Sequence, residues 1–448
     1  MSRAAAPGPR GHWLLGSLAP LRDDPLGFFL RSAEESGDVV RFRAFHRTGF
    51  IFRHPDHIQH VLVDNHRNYN KQSRGFKAIS QFLGNGLLTS EGSFWLRQRR
   101  LMQPAFHRER IARLSRVMSE EALACAGRWE DKARSGEEFN AASEMMRLTL
   151  RVVSRSMFGA EISGGEETVE RSMAVILKYG MRRITNPLLD FLPAPSTWKF
   201  RRAVGAMDSL VHAIIAARRA RPAGAEGDLL SMLMEAKDED TGESMDDRQL
   251  RDEAMTMFTA GHETTANALA WTFYLLAQNP AAETRLRKEL AAVLGGRTPG
   301  VEDLPRLPYL SCVIRESLRL YPPAWVISRM SEGPDEMGGF EVPAGCLVIV
   351  SPHLTHRHPG FWPEPERFKP ERFLEPGTAE LPRFAYFPFG GGPRQCIGNG
   401  FALMEAQIVL ATLLQRFRLE LAPGHLVEPE PLITLRPKGG LWARARKC

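Results

Sequence analysis

The sequence predicts a mainly α protein (α+β): one helix-rich unit with small β-sheets. Three observations carry this. Residues 118–277 have a predominantly helical apolar pattern. A proline-free stretch runs from Ser244 to Asn279, enough for a helical rod about 50 Å long. Extended patterns are short, at 39–45, 49–52 and 339–350.

Taken along the chain, residues 1–20 hold several prolines and glycines and read as an extended segment. Residues 39–45 and 49–52 form a hairpin through His46, Arg47 and Thr48. The Arg-rich stretch 90–114 is helical and interrupted at Pro104. Residues 220–243, rich in Gly, Asp and Glu, read as a surface connection. Ser244, with Asp247 three residues later, resembles a capping box for the long helix. The second half of that helix is apolar nearly all round and is therefore buried. Asn279-Pro280 starts another helix, which ends at Gly295-Gly296. A helix over 310–320 stops at Pro322-Pro323. Residues 339–350 read as a hairpin through Pro343-Ala344-Gly345, and the last helix runs from just after Cys396 to about Phe417.

The 448 residues are 43% apolar and 25% charged, which excludes a disordered chain. The net charge of +7 fits an acidic partner, a nucleic acid or an anionic cofactor without choosing among them. Five cysteines without paired spacing argue against a disulfide framework and a zinc ribbon, and point to reduced cytosolic thiols. No apolar stretch has the length of a membrane span or the form of a signal peptide.

Four polar features need a reason. In 389–398 (FGGGPRQCIG) a glycine loop ends in one cysteine at a helix start. Glycines let backbone approach a ligand closely, and a helix N-terminus favours the thiolate, the form that ligates metal. A structural cysteine beside a turn is the plain alternative. A phosphate loop lacks its Gly-Lys-Ser/Thr ending. In 260–265 (AGHETT) a glycine, a carboxylate and two hydroxyls sit inside the long buried helix, each at a cost. His262-Glu263 opens an HExxH zinc motif that fails at Ala266. Glu316 and Arg319 share a helix face, as many surface ion pairs do. Residues 365–373 are broken by proline and read as a loop.

In this order and spacing the four resemble the cytochrome P-450 family, the haem-thiolate monooxygenases, over nearly the whole chain. Phe389, Gly392, Arg394, Cys396 and Gly398 match every fixed position of the family's cysteine loop. Ala260–Thr265 matches its oxygen-activating helix motif in full. Glu316, Arg319 and Arg372 match its structural triad, and Trp95 and Arg99 its Trp-x-x-x-Arg pair. The resemblance implies a large triangular fold, with haem b between the long helix and the cysteine loop. Cys396 would be the proximal iron ligand. Ala260 and Gly261 would lie against the haem, and Phe389 would shield the thiolate. Arg99, Arg394, Arg329 and Trp95 would hold the propionates. Thr264 would steady bound oxygen and a water, and Glu263 would pass protons inward.

By position in the family, the substrate pocket falls to Phe76, Ile79, Phe82, Leu88, Phe258, Thr259, Ala260, Ala324, Trp325, Val326, Ile327 and Ile433–Leu435. These are mostly apolar, so a fatty acid, terpenoid or steroid-like substrate is expected. O2 is the co-substrate. The sequence carries no flavin or iron–sulfur domain and no membrane anchor. Electrons would therefore come from NAD(P)H through a separate reductase and a ferredoxin or flavodoxin. That carrier would dock on a basic proximal face built from some of Arg97, Arg99, Arg100, Arg108, Arg110, Arg113 and Arg116. A single soluble, cytoplasmic, monomeric unit of bacterial type is expected, without nucleic-acid partners. A peroxide-using or peroxide-rearranging relative is the alternative; the Glu263-Thr264 pair favours monooxygenation. A non-enzymatic haem sensor ranks last.

Overall fold

The structure is a computed structural model and describes residues 5–159, 165–186, 195–220, 228–238 and 242–448. A helix-rich body and small sheets are what it contains. The long helix, Asp247–Gln278, is buried along most of its length. It packs on the helices Ala141–Phe158, Pro195–Arg219, Pro308–Leu320 and Asn399–Leu414. One large apolar cluster joins these helices. Burial of that surface, at about 25 cal/mol per Å2, is the main term holding the chain together.

The long helix starts where its cap can reach. Asp246 accepts a hydrogen bond from the Gln249 amide, the third residue of the helix. Ser244, the expected cap, lies two residues too early and instead forms an isolated β-bridge with Lys237. Just before it, Leu229–Glu235 is a helix capped by Asp228, inside the stretch read as a connection. Its Leu229, Leu230 and Leu233 are buried, an apolar face that the surrounding Gly, Asp and Glu disguised. The neighbouring residues 221–227 and 239–241 lie outside the described set.

The main sheet has five strands in the order Val39–Ala44, Arg47–Phe52, Leu347–Val350, Ile327–Ser331 and Tyr69–Asn70. The first two form the expected hairpin, but through a tighter turn: Ala44 pairs with Arg47, and Phe45 takes φ 56°. The hairpin expected over 339–350 does not form. Phe340–Val342 pairs with Asp335–Met337 in a separate ribbon, and Leu347–Val350 enters the five-stranded sheet. Val348, Ile349 and Val350 are all buried, and a strand apolar on both faces needs a central place. At the N-terminus, Leu18–Asp23 is already helical, so the extended segment is shorter than expected.

Toward the C-terminus the sequence reading holds. Pro308–Leu320 and Pro280–Leu294 form as expected, the latter ending at Gly295 with φ 57°. The last helix is Asn399–Leu414, and Phe417 already belongs to the next strand, Phe417–Leu421. The loop 389–398 is thus delivered to the N-terminal end of a helix that packs on the long helix.

Candidate haem site

The cysteine loop is held by its own backbone. Cys396 donates its amide to the Phe389 carbonyl at 3.0 Å, and Gln395 to Gly392 at 3.1 Å. Gly392 has φ 64°, and a Cβ there would stand 1.9 Å from the Leu62 carbonyl oxygen. At Gly391 a Cβ would meet the Phe384 ring at 2.2 Å. These glycines let the loop lie flat against the Leu62 and Phe384 segments, a packing reason that the sequence did not reveal.

Cys396 combines two properties. Burial pushes its thiol upward, against the Gly398 N–H and the Arg99 charge, which favour the thiolate. Yet its surface is accessible. The thiol is thus crowded by protein atoms and yet open to a ligand. The donors beside it do not by themselves outweigh burial, contrary to the expectation from the helix N-terminus. A coordinated metal cation would supply the missing stabilisation, because it deprotonates a thiol outright.

The long helix carries a matching opening. Ala260 is exposed and Gly261 and Thr264 are half-buried, among the buried Phe258, His262, Glu263 and Thr265. The Thr264 hydroxyl donates to the Ala260 carbonyl at 2.6 Å, so the helix stays continuous and its ladder is not broken there. A Cβ on Gly261 would stand 3.1 Å from Val153, so this glycine also serves close helix packing. Glu263 turns the other way. It is buried, accepts from the Thr434 hydroxyl at 2.6 Å, and leaves its second oxygen without a partner among the described residues. Burial lifts this carboxyl to about 7, against Thr434 and Arg436.

The arginines split into groups. Arg99 donates to the Gln395 carbonyl at 3.0 Å, beside the thiol. Arg394 stacks 3.8 Å above the Trp95 ring and donates to Ser90 O at 2.9 Å and to Glu91 at 3.1 Å. Arg329 is buried and donates to Ser328 O. Lys71, which the sequence gave no reason to single out, is also buried and donates to Leu88 O at 2.7 Å. Burial and mutual repulsion press these cations down: Arg329 and Arg394 to about 10, and Lys71 well below its usual value. Three cations share one carboxylate, Glu91. A group carrying two further negative charges matches this cluster, and two propionates are such a group.

The structural triad forms as expected. Arg319 grips Glu316 through Nε and Nη2 at 2.8 and 2.9 Å, and Arg372 reaches the same carboxylate at 3.0 Å. Arg319 also donates to the carbonyls of His356, Pro365 and Arg367. This buried network ties the loop 356–373 to the Pro308–Leu320 helix.

The pocket expectations divide. Phe82, Phe258 and Trp325 are packed in the core, not at a pocket wall. The Trp325 indole donates to Leu432 O at 2.9 Å and its ring lies against Phe29. Large rings satisfied on all sides give up no surface to a ligand, which positional matching cannot foresee. Phe76, Ile79, Val326, Ile327 and Ile433 are half-buried, and Leu88 and Ala324 exposed. Phe76 stands beside the cation cluster, 5.1 Å from Lys71 Nζ and 6.0 Å from the Arg329 guanidinium.

The basic stretch is also sorted. Arg97 and Arg100 turn to Asp238, Arg116 pairs with Glu120, and Arg110 meets the Met232 sulfur. Arg108 and Arg113 make no ion pair among the described residues. Phe106 and Ile111 face Gly398 and Gly400, which places this basic stretch beside the cysteine loop. A cleft of about 330 Å3 opens nearby, lined among others by Phe389, Gln395, Arg315 and Arg383.

Comparison with known proteins agrees with this geometry. The family described as Cytochrome P450 matches residues 6–443. The chain belongs to the cytochrome P450 family. It is similar to cyclooctatin synthase of Streptomyces melanosporofaciens, 37% identical over 95% of this chain and 91% of the relative. Cyclooctat-9-en-7-ol 5-monooxygenase of the same organism is 38% identical over 92% and 88%. Pentalenene oxygenase of Streptomyces avermitilis is 34% identical over 91% and 90%. The protein is a cytochrome P450 monooxygenase, using haem and O2 on a hydrophobic substrate. No helix among the described residues is long and apolar enough to cross a membrane.

Proposed function

We propose that this cytochrome P450 hydroxylates or epoxidises a terpenoid, with haem b held by Cys396. The observation that carries the haem assignment is Cys396 itself, accessible yet desolvated and flanked by Arg99 and the Gly398 N–H. The terpenoid class rests on the relatives named cyclooctat-9-en-7-ol 5-monooxygenase and pentalenene oxygenase. When bound, the haem supplies the activation of O2 and the oxidation of a C–H or C=C bond.

The chain's own residues do the rest. Lys71, Arg329 and Arg394, with Arg99 and Trp95, would bind and orient the propionates, while Glu91 holds Arg394 in place. Gly398 and Arg99 set the electron density on the Cys396 sulfur, and Phe389 keeps water from it. Thr264 donates its one proton to Ala260 O, which fixes its rotamer, so its hydroxyl oxygen would accept a hydrogen bond from a water or a protonated oxygen group. Glu263, at about 7, gives up and recovers a proton at neutral pH. Phe76, Ile79, Leu88, Ala324, Val326, Ile327 and Ile433 wall the substrate with apolar surface.

Electrons arrive from a separate acidic carrier, a ferredoxin or flavodoxin reduced at the expense of NAD(P)H. It docks over the cleft beside the cysteine loop, against Arg108, Arg113, Arg315 and Arg383. The protein works as a monomer in the cytoplasm. Incubating the haem-loaded enzyme with a surrogate ferredoxin system and a panel of cyclic terpenes and terpene alcohols tests the substrate class. A spin-state shift and a product heavier by one oxygen are expected. Turnover of fatty acids alone would contradict the terpenoid assignment.

A further inference from the structure

Glu263 is attached to a part of the chain far from it in sequence. The ribbon of strands Pro429–Pro431 and Leu435–Pro437 lies against the long helix. Trp271 donates its indole N–H to the Leu435 carbonyl at 3.1 Å, which pins this ribbon to the helix. One residue earlier, Thr434 is buried. Its hydroxyl donates to Glu263 Oε1 at 2.6 Å and accepts from Asn267 Nδ2 at 3.2 Å. A hydroxyl carries one proton, so the bonds run Asn267 to Thr434 to Glu263. Asn267 lies four residues beyond Glu263, on the same face of the helix.

Arg436 lies in the strand that follows the bend holding Thr434, and its positive charge bears on Glu263. It is partly exposed and paired with Glu430 at 2.8 Å. The ribbon thus brings one hydrogen bond, from Thr434, and one positive charge, from Arg436, to bear on the buried carboxyl. The other ionisable neighbour on the long helix, His262, bonds to the Met146 carbonyl, and burial keeps its ring neutral.

We propose that Thr434 is a positioning residue for Glu263. Its hydroxyl latches the buried carboxyl to the C-terminal ribbon and, with the Arg436 charge, sets how readily that carboxyl gives up its proton. This rests on the reading of Glu263 as the proton carrier. A hydroxyl donated to a carboxylate favours the ionised form, as does a nearby guanidinium. Loss of either therefore makes Glu263 hold its proton to higher pH.

The test is an infrared pH titration of the haem-loaded enzyme, following the protonated carboxyl band that Glu263→Gln removes. Thr434→Val should move the midpoint up by about one pH unit, the scale of one hydrogen bond to a charged group. Thr434→Ser should restore it, and Arg436→Gln should move it in the same direction as Thr434→Val. The pH profile of product formed per O2 consumed should shift with the midpoint. If Thr434→Val loses haem, Thr434→Ala and Arg436→Gln carry the measurement. A midpoint and a pH profile unchanged in these variants would overturn the latch. A wild-type enzyme without thiolate-bound haem or oxygenated product defeats the monooxygenase reading instead, and leaves the infrared shift to judge the latch.

Discussion

Cys396, Thr264 and Glu405 show what a single side chain contributes. Thr264 has its hydroxyl fixed by the Ala260 carbonyl and its environment half-open. Thr264→Ala should keep the fold and the oxygen uptake. Product per O2 should fall roughly tenfold or more, with hydrogen peroxide appearing in its place, as expected when a group managing protons is removed. Glu405 is a different case. It is fully buried on the last helix, and neither carboxyl oxygen has a partner among the described residues. Burial holds its pKa well above the ordinary 4.5. The folded protein therefore keeps a proton that the unfolded chain releases above pH 4.5, and stability falls as pH rises beyond that point. Glu405→Met should raise the melting temperature, and by more at pH 8 than at pH 5. An equal shift at both values would show that the carboxyl is not held neutral.

At the level of elements, two loops carry the site and both depend on contacts between distant segments. The cysteine loop needs Gly392, whose φ of 64° and 1.9 Å clearance leave no room for a side chain. Gly392→Ala combines a left-handed backbone costing about 1–2 kcal/mol with a clash against the Leu62 carbonyl. It should sharply lower the fraction of purified protein that holds haem. The triad is the second device. Removing one partner of a buried ion pair costs about 3–5 kcal/mol, because the other charge stays buried. Glu316→Gln should therefore lower yield and thermal stability, and a wild-type melting curve would contradict that role. The long helix, the cysteine loop and the triad were legible because fixed residue types at fixed spacing mark them. The cation cluster was only half legible. Arg329 and Arg394 lie in recognisable segments, whereas Lys71 and Glu91 acquire meaning only once the sheet and the segment 71–91, with its helix Arg74–Leu83, fold against Arg394. Trp325 and Phe258 were misplaced for the same reason: an apolar residue in a pocket-forming segment reads alike whether it faces the pocket or the core. The Leu347–Val350 strand went to another sheet because sequence proximity suggested a hairpin where burial on both faces demanded a centre.

Across the whole molecule, charge divides into an inner and an outer set. The inner set around Glu91, with Lys71 and Arg329 buried and Arg394 half-buried, has the charge to take an anion. The outer set beside the cysteine loop is exposed and suited to an acidic carrier. Long-range attraction between exposed charges is screened by salt. Charge reversal at Arg108 and Arg113 should slow reduction by a ferredoxin several-fold at low salt and much less at high salt. Reversal at Arg100, already paired with Asp238, should do less; equal effects would show that the face is misplaced. By this proposal the Cys396 thiol, accessible yet desolvated, holds a haem against the long helix. The reduced carbon-monoxide complex of the purified protein tests it most directly. The red-shifted Soret band of thiolate ligation is expected, abolished by Cys396→Ser while the fold is kept. A histidine-type band, or a thiolate band that survives Cys396→Ser, would contradict it.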